Sequence, residues 1–321
     1  MSTEKMNRTD FLGLMGGMAM LPLGGASGAE LRGTWPKSAL EALHHPSLKD
    51  RVVIITGSSR GFGWFMAEEL LRAGARVTLT GRNSNTLAEV LDEAQRIAGP
   101  GRCIAVAGDV TRAEDCARTI EETLQAFGRI DVLINNAGRS YGEFRDNISV
   151  VTPFYDVTEQ QFRAIFETNL FGVFLMTKAA MPHMLKQNFG KVFSISTSLS
   201  NMVRPGGSVY GSSKAALETT HRCWAGELED TGIDVNILLP GGPADTALIT
   251  PAMVPGVVGE RAGGRLLPGD IIVPAAVWLC TDATNGMSGE RVMARLWNVD
   301  LPPEEAFKGC LQPHVDEPSI M

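Results

Sequence analysis

Short apolar runs alternate with amphipathic stretches along most of the chain. Residues 51–56 are rich in β-branched side chains and end at Gly57, the pattern of a strand buried on both faces. The next stretch, 64–73, carries its apolar side chains on one helical face and stops at Gly74, so it predicts a helix. Further strands are predicted at 76–80, 103–107, 131–135, 191–196 and 234–239, and further helices at 87–97, 113–127, 159–187 and 210–230. This alternation predicts an α/β fold with a doubly wound parallel sheet, in which ligands bind at the carboxyl ends of the strands.

The N-terminal region does not share this alternation. Lys5 and Arg8 precede a weakly apolar stretch, 11–23, and small residues follow at 24–29, an order typical of a secretory signal. The sequence around Arg8 resembles a twin-arginine export signal, but Asn7 stands in the place of the first arginine. The apolar run is too short to span a bilayer as a helix, which takes about 20 residues. A plain extension on a cytoplasmic protein and a periplasmic export signal are therefore both open.

Composition favours one large folded domain. We predict an N-terminal extension or signal-like segment at 1–45, a single domain at 46–300 and a C-terminal tail at 301–321, with no transmembrane span. With 44% hydrophobic residues among 321, the chain is neither disordered nor collagen-like, and its five cysteines show no C-x-x-C spacing. The 36 acidic residues outnumber the 29 basic ones, which argues against a nucleic-acid partner. The five histidines do not cluster at metal-ligand spacing, so no metal is predicted.

A glycine-rich loop follows the first predicted strand. Residues 56–63 read Thr-Gly-Ser-Ser-Arg-Gly-Phe-Gly and lie between a strand and a helix. Glycines at this place allow a tight turn and a close approach of the backbone to a pyrophosphate, and the helix N-terminus offers unpaired N–H groups. The G-x-x-x-G-x-G spacing differs from G-x-G-x-x-G, and by itself it is equally typical of an ordinary glycine-rich turn.

Four later motifs occur with this loop in a fixed order. They are Asn135-Asn136-Ala137-Gly138 after the fourth strand, Asn169 within a helix, Tyr210-x-x-x-Lys214, and Pro240-Gly241 after the sixth strand. In identity, order and spacing, the five motifs together resemble the short-chain dehydrogenase/reductase family over residues 48–292. The resemblance implies a Rossmann fold and an oxidoreductase that acts on a small-molecule carbonyl or secondary alcohol. It also implies a homo-oligomer, a dimer or tetramer built through the helices at 159–187 and 210–230. Two other functions on this fold are an epimerase or dehydratase, and a nucleotide-binding regulator without catalysis.

The resemblance also implies a dinucleotide site. An NAD site usually carries an acid at the end of the second strand, but here Arg82 stands there, and Arg60 lies in the glycine loop. Because a guanidinium pairs well with phosphate, the two arginines favour NADP(H). The implied cofactor-binding residues are Gly57, Ser59, Arg60, Gly61, Phe62, Gly63, Arg82, Asp109, Val110, Asn136, Ala137, Gly138, Tyr210, Lys214, Pro240 and Gly241.

The implied catalytic residues are Tyr210, Lys214, Asn169 and a hydroxyl near residue 197. Lys214 follows Tyr210 by one helical turn, so its ammonium is expected to lower the pKa of the phenol. By resemblance, Lys214 also holds the nicotinamide ribose and Asn169 organises a water chain. The family places a serine thirteen residues before the tyrosine; here that position is Thr197, and a shift of one residue would transfer the role to Ser196 or Ser198.

Three further segments are expected to shape the substrate site. The stretch 139–153 carries Tyr141, Phe144 and Arg145, which could rim a pocket, and 252–264 has the composition of a lid. Thr246 stands one place later than the threonine that the family pattern places at the nicotinamide carboxamide.

Overall fold

The computed structural model describes residues 35–141, 152–246, 248–249 and 266–313. The chain groups into two units, Met1–Arg32 and Gly33–Met321, and all the described residues belong to the second. Seven strands form one parallel sheet in the order β3-β2-β1-β4-β5-β6-β7. They are β1 Val52–Ile55, β2 Arg76–Gly81, β3 Cys103–Ala107, β4 Val132–Asn135, β5 Gly190–Ile195, β6 Ile233–Leu239 and β7 Arg291–Met293. The predicted doubly wound parallel sheet is thus confirmed.

Most of the helices connect these strands, while one precedes β1 and one follows β7. They are α1 Lys37–Glu41, α2 Gly61–Arg72, α3 Ser84–Ala98, α4 Ala113–Phe127, α5 Glu159–Phe166, α6 Gly172–Gln187, α7 Leu199–Met202, α8 Ser208–Glu227, α9 Val273–Leu279 and α10 Pro303–Lys308. A π-helical turn, Glu167–Phe171, joins α5 to α6, so the single helix predicted at 159–187 carries one widened turn. Such turns are rare and often occur at functional sites.

The strand order reverses between β1 and β4. From β1 the chain winds outward through β2 and β3, then returns to the other side of β1 with β4. A crevice forms at the carboxyl ends of strands where the order reverses, and ligands bind there in open α/β sheets. The fully buried pattern of β1 and β4 agrees with a sheet that has helices on both faces. The fold therefore directs attention to the residues that directly follow β1, β4 and β5.

Residues on both sides of the predicted domain at 46–300 pack on its core. The segment before residue 46 packs on the core: Leu43 is 1% exposed, and Trp35 Nε1 donates to the carbonyl oxygen of Asp270 at 2.9 Å. At the other end, α10 buries Phe307 and Cys310 follows it into the core. The compact unit begins at Gly33, because apolar side chains on both sides of the predicted domain complete its main core.

The helices of the described residues offer no candidate for a membrane crossing, since none is both long and apolar enough.

Candidate active site

The glycine loop is clamped to the end of β4. Gly57 has a φ of +64°, and a Cβ there would lie 2.9 Å from the Cα of Ala137. A Cβ on Gly63 would lie 2.5 Å from the carbonyl oxygen of Gly57 and 2.6 Å from Nδ2 of Asn136. Asn136 Nδ2 donates to the carbonyl oxygens of Thr56 and Gly57 at 2.8 and 3.0 Å. Only glycine fits such a loop, and the space over its backbone suits a pyrophosphate at the N-terminus of α2.

Thr56 joins the two segments as well, a role that the motif analysis did not assign. Its Oγ1 accepts hydrogen bonds from the backbone N–H groups of Asn136 and Ala137 at 3.0 and 2.9 Å. Because one hydroxyl oxygen accepts from two consecutive backbone donors, the loop and the N-N-A-G segment are held in one register. The sequence signal for this role was the threonine at the first position of the glycine-rich motif.

The loop also lies against the end of β2. Ser58 is buried, and its Oγ accepts from the backbone N–H of Thr80 at 2.9 Å. A Cβ on Gly81 would lie 3.5 Å from Oγ of Ser59, so Ser59 is next to the strand end that carries Arg82. Arg60 and Arg82 are both exposed and flank this junction along the chain. Two guanidinium groups thus belong to the two segments that would surround the adenosine ribose of a dinucleotide.

The segment after β3 carries the predicted pair Asp109 and Val110. Oδ1 of Asp109 accepts from the backbone N–H and from the hydroxyl of Thr111 at 3.0 and 2.8 Å. Val110 packs against Gly172, where a Cβ would lie 2.7 Å from its Cγ2. Asp109 therefore stabilises its own turn, and an adenine contact of this pair stays a prediction.

The turn after β6 brings another segment to the glycine loop. Gly241, with a φ of +90°, follows Pro240, whose carbonyl oxygen accepts from the backbone N–H of Arg295 at 3.2 Å. A Cβ on Gly61 would lie 3.6 Å from the Cβ of Thr246. Thr246 is thus beside the glycine loop despite its late position in the motif.

The π-helical turn places Asn169 at the end of β4. Its side chain is fully buried: Oδ1 accepts from the backbone N–H of Arg139 at 2.7 Å, and Nδ2 donates to the carbonyl oxygen of Arg139 at 3.0 Å. Nδ2 also donates to Oγ of Ser213 at 3.0 Å. A Cβ on Gly138 would lie 3.4 Å from Oδ1 of Asn169. Asn169 therefore ties the strand end to the helix of Tyr210 and Lys214.

Tyr210 and Lys214 lie on α8, with the lysine directed at the end of β5. Lys214 Nζ donates to the carbonyl oxygen of Ile195 at 2.7 Å and lies 5.9 Å from the centre of the Tyr210 ring. A Cβ on Gly138 would lie 3.8 Å from this Nζ atom. Burial lowers the pKa of Lys214 to about 8, opposed by the carboxylate of Glu218.

The pKa of Tyr210 moves in the direction opposite to the one expected from its spacing to Lys214. The ring packs against the apolar cluster of Tyr141, Ile165 and Val209, and burial raises the pKa of Tyr210 to about 12. Burial penalises the phenolate, while the ammonium of Lys214 is engaged with a backbone carbonyl. The phenol is therefore protonated at neutral pH.

Three hydroxyl groups follow β5, and their partners differ. Ser196 Oγ donates to Oε1 of Glu218 at 2.5 Å. Thr197 is buried, and its Oγ1 accepts from Nδ2 of Asn201 at 2.8 Å. Ser198 pairs through its Oγ with Oγ of Ser200 at 3.1 Å, nearer to the surface. The hydroxyl hydrogen of Ser196 is thus committed to a carboxylate, whereas Thr197 keeps a hydrogen to donate.

Several residues of this region escaped the motif analysis. Glu218 and Arg291 form an ion pair at 2.9 Å, and Arg291 Nη2 donates to the carbonyl oxygen of Thr197 at 2.9 Å. Tyr141 was expected to rim a pocket, but it is 3% exposed, and its Oη accepts from the backbone N–H of Val209 at 2.9 Å. Ordinary charges and a lone tyrosine gave no sequence signal for these contacts.

Some expectations fall on other parts of the chain. Phe144, Arg145 and the expected lid at 252–264 lie outside the described residues. Within the described ranges, no group of three or more histidine, cysteine, aspartate or glutamate side chains is arranged to hold a metal ion.

Comparisons with known proteins agree with this geometry. The family model described as short chain dehydrogenase matches residues 51–252. An uncharacterized oxidoreductase of Methylorubrum extorquens is 32% identical over 252 residues, which cover 77% of this chain and 97% of that protein. The 11-beta-hydroxysteroid dehydrogenase-like 3 protein of Arabidopsis thaliana is 36% identical over 242 residues, or 75% of this chain and 71% of that protein.

A solved structure is similar as well. The crystal structure of 3-ketoacyl-(acyl-carrier-protein) reductase from Brucella melitensis complexed with NADH superposes with a TM-score of 0.66 at 26% identity, covering 76% of this chain and 96% of that one. Three observations point to one family. They are a family model that matches most of the chain, a relative matched over nearly its whole length, and a parallel sheet with a glycine loop. The chain belongs to the short-chain dehydrogenase family and is a nucleotide-binding oxidoreductase with a Rossmann fold.

Proposed function

We propose that the protein is an NADP(H)-dependent reductase that interconverts a carbonyl compound and a secondary alcohol, with Tyr210 as the proton donor. The observation that carries this proposal is the position of the N-N-A-G segment. Ala137 lies 2.9 Å from the Cβ position of Gly57, and Lys214 Nζ lies 3.8 Å from that of Gly138. One segment thus borders both the glycine loop and the Tyr–Lys helix, so a single extended ligand can contact both.

Each side chain beside the strand ends has a separate role in the proposed reaction. A bound nicotinamide supplies or accepts the hydride. In the direction of reduction, the Tyr210 hydroxyl donates its proton to the carbonyl oxygen, and Thr197 donates a hydrogen bond to the same oxygen. A pKa of about 12 keeps Tyr210 protonated at neutral pH, so the phenol carries the proton that the reduction needs. Lys214 remains cationic at neutral pH because its pKa is about 8, and it stabilises the negative charge left on the phenol.

The test of this function is the Tyr210→Phe variant. The loss of NADPH absorbance is followed with a 3-oxoacyl thioester and a ketosteroid, the compound classes that the relatives' names suggest, and also with simple aryl ketones. We expect Tyr210→Phe to abolish turnover and to leave the Kd for NADPH within about threefold, because a proton donor adds little to ground-state binding. Tyr155→Phe is the matched control, since Tyr155 is 74% exposed. Equal turnover by Tyr210→Phe and the wild type contradicts the proposed role of the phenol.

The preference for NADP(H) rests on Arg60 and Arg82. Both are exposed beside the junction of the glycine loop with β2, where no carboxylate follows the strand. We expect Arg82→Ala to raise the Kd for NADPH by roughly ten- to a hundredfold, the value of a charge-assisted hydrogen bond, with little change for NADH. Arg72→Ala, a half-exposed arginine on the opposite end of α2, serves as the control. A similar loss of affinity for both nucleotides speaks against the proposed 2′-phosphate contact.

We further propose a homo-oligomer, a dimer or tetramer, built on the helices α5, α6 and α8. Phe162, Phe171 and Phe174 are 47%, 49% and 39% exposed along the α5–α6 helix. The rings of Phe171 and Phe174 stack with their centres 6.2 Å apart, and exposed apolar patches of this kind are typical of interaction surfaces. Phe174→Glu is therefore expected to lower the molar mass in light scattering to that of a smaller assembly, and an unchanged mass would exclude this surface.

A further inference from the structure

An ion pair holds the two residues that follow β5. Ser196 Oγ donates to Oε1 of Glu218 at 2.5 Å, and Arg291 Nη2 donates to the carbonyl oxygen of Thr197 at 2.9 Å. Oε2 of Glu218 and Nε of Arg291 meet at 2.9 Å. The side chains of Glu218 and Arg291 are 21% and 28% exposed, so their attraction is screened less than that of a surface pair. One pair thus fixes a side chain and a backbone group at consecutive positions.

The direction of the Thr197 hydroxyl depends on this arrangement. Its Oγ1 accepts from Nδ2 of Asn201 at 2.8 Å, so one lone pair is occupied and the hydrogen points elsewhere. The position of Oγ1 follows the backbone of Thr197, which the guanidinium of Arg291 holds through the carbonyl oxygen. The pair therefore controls a donor that it does not itself contact.

Glu218 also connects the strand end to the helix of the Tyr–Lys pair. It follows Lys214 by one turn on α8, so both side chains project from the same face. Lys214 Nζ donates to the carbonyl oxygen of Ile195 at 2.7 Å, and Glu218 binds the next residue, Ser196. Side chains of α8 thus bind Ile195 and Ser196 at the end of β5, and a side chain of β7 binds the next residue, Thr197.

On these contacts, and resting on the function proposed above, we infer that Glu218 and Arg291 are positioning residues that direct the Thr197 hydroxyl at the substrate oxygen. Their effect on the substrate oxygen runs through Thr197, because Glu218 binds the residue before it and Arg291 binds its carbonyl oxygen. A displacement of a catalytic donor by about 1 Å can reduce turnover by about a hundredfold, so such a pair has a measurable effect on kcat.

The test combines Glu218→Gln with Thr197→Val. In the wild-type background, Glu218→Gln is expected to lower kcat by roughly ten- to a hundredfold, with the Kd for NADPH unchanged. In the Thr197→Val background, where the hydroxyl is gone, the same substitution should lower kcat by less than about threefold, because the two residues act in one interaction. Arg291→Met, which leaves the carboxylate in place, should show the same dependence on Thr197 and provides a second result if Glu218→Gln folds poorly.

The control is Asp234→Asn. Asp234 forms a buried ion pair with Lys191 at 3.2 Å, which joins β5 to β6 at the opposite end of the strands. This variant is expected to lower the melting temperature while kcat below the transition stays within about twofold of the wild type. An equal loss of kcat on Glu218→Gln in both backgrounds, or the same loss on Asp234→Asn, would overturn the inference. If Tyr210→Phe remains active, the proposed function is wrong. If Tyr210→Phe is inactive and Glu218→Gln is fully active, only the positioning role of Glu218 and Arg291 is wrong.

Discussion

His221 is a buried histidine on α8 that lacks a partner for one ring nitrogen. It is 2% exposed, and its Nδ1 donates to the carbonyl oxygen of Leu217 at 3.0 Å. Within the part of the chain that the structure describes, its Nε2 makes no hydrogen bond. Burial lowers the pKa of His221 to about 4, against its hydrogen bond to Leu217 and with a small contribution from Lys214. The folded protein therefore holds this ring neutral.

This shift predicts how the stability of the protein depends on pH. The unfolded histidine binds a proton below about 6.5, whereas the folded one does so only near 4. Between these values the unfolded state holds the extra proton, so the free energy of unfolding falls by up to about 1.4 kcal/mol for each pH unit of acidification. Urea denaturation at pH 7, 6 and 5 should show this loss in the wild type and a smaller one in His221→Leu. His183→Gln retains His221 and is the control; identical pH dependence in His221→Leu and the wild type contradicts the assignment.

At the scale of elements, the first turn of α8 decides where Tyr210 lies. Its N-cap residue, Gly207, offers no side chain to the free N–H groups of the helix start. Tyr141 takes that place, because its Oη accepts from the backbone N–H of Val209, the residue before Tyr210. A side chain from the segment that follows β4 thus caps the helix that carries the proposed acid.

Tyr141→Phe removes this acceptor and keeps the ring. The N–H of Val209 then stays buried without a partner, at a cost of about 1–3 kcal/mol, and the first turn of α8 is expected to loosen. We predict a lower melting temperature and a reduced kcat, with NADPH binding retained. Tyr155→Phe removes an exposed hydroxyl and controls for the change of residue type. A Tyr141→Phe protein with wild-type kcat and melting temperature would show that the cap is dispensable.

The elements that the sequence pattern predicted well are those with a strong local signal. The strands β1 to β6 each coincide with a run that the sequence pattern predicted, and the motifs that follow β1, β4 and β6 could be placed by counting residues. By contrast, β7 has only three residues, Arg291–Met293, too few to show an alternation of apolar and polar positions. Glu218, the ion-pair partner of Arg291, could not be told in the sequence from an ordinary charged residue on a helix. The direction of the Tyr210 pKa was mispredicted, since the spacing to Lys214 is local whereas burial is a property of the packed cluster around it.

At the scale of the whole molecule, the core extends beyond the domain that the pattern indicated. Leu43 is 1% exposed in the main core, and His45 packs edge-on against Trp278 with ring centres 5.9 Å apart. His44 Nε2 lies 2.6 Å from Oε1 of Glu69, a carboxylate that is 4% exposed on α2. The segment before residue 46 therefore covers apolar surface and also provides the partner of a buried acid on the helix that begins with the glycine loop.

Two truncated proteins measure how much the segment before residue 46 contributes to stability. A protein that begins at Gly33 retains every contact described here, whereas one that begins at Pro46 loses Leu43 from the core and leaves Glu69 buried without His44. The first loss alone is worth about 2–5 kcal/mol, the cost of a large-to-small change in a core, and an unpaired buried carboxylate adds to it. We expect the shorter protein to unfold at a clearly lower temperature and to bind NADPH more weakly, because the proposed phosphate site lies at the N-terminus of α2. Leu43→Ala in the longer protein should account for part of the loss. Equal melting temperatures for the two truncated proteins would show that the segment before residue 46 does not contribute to the stability of the core.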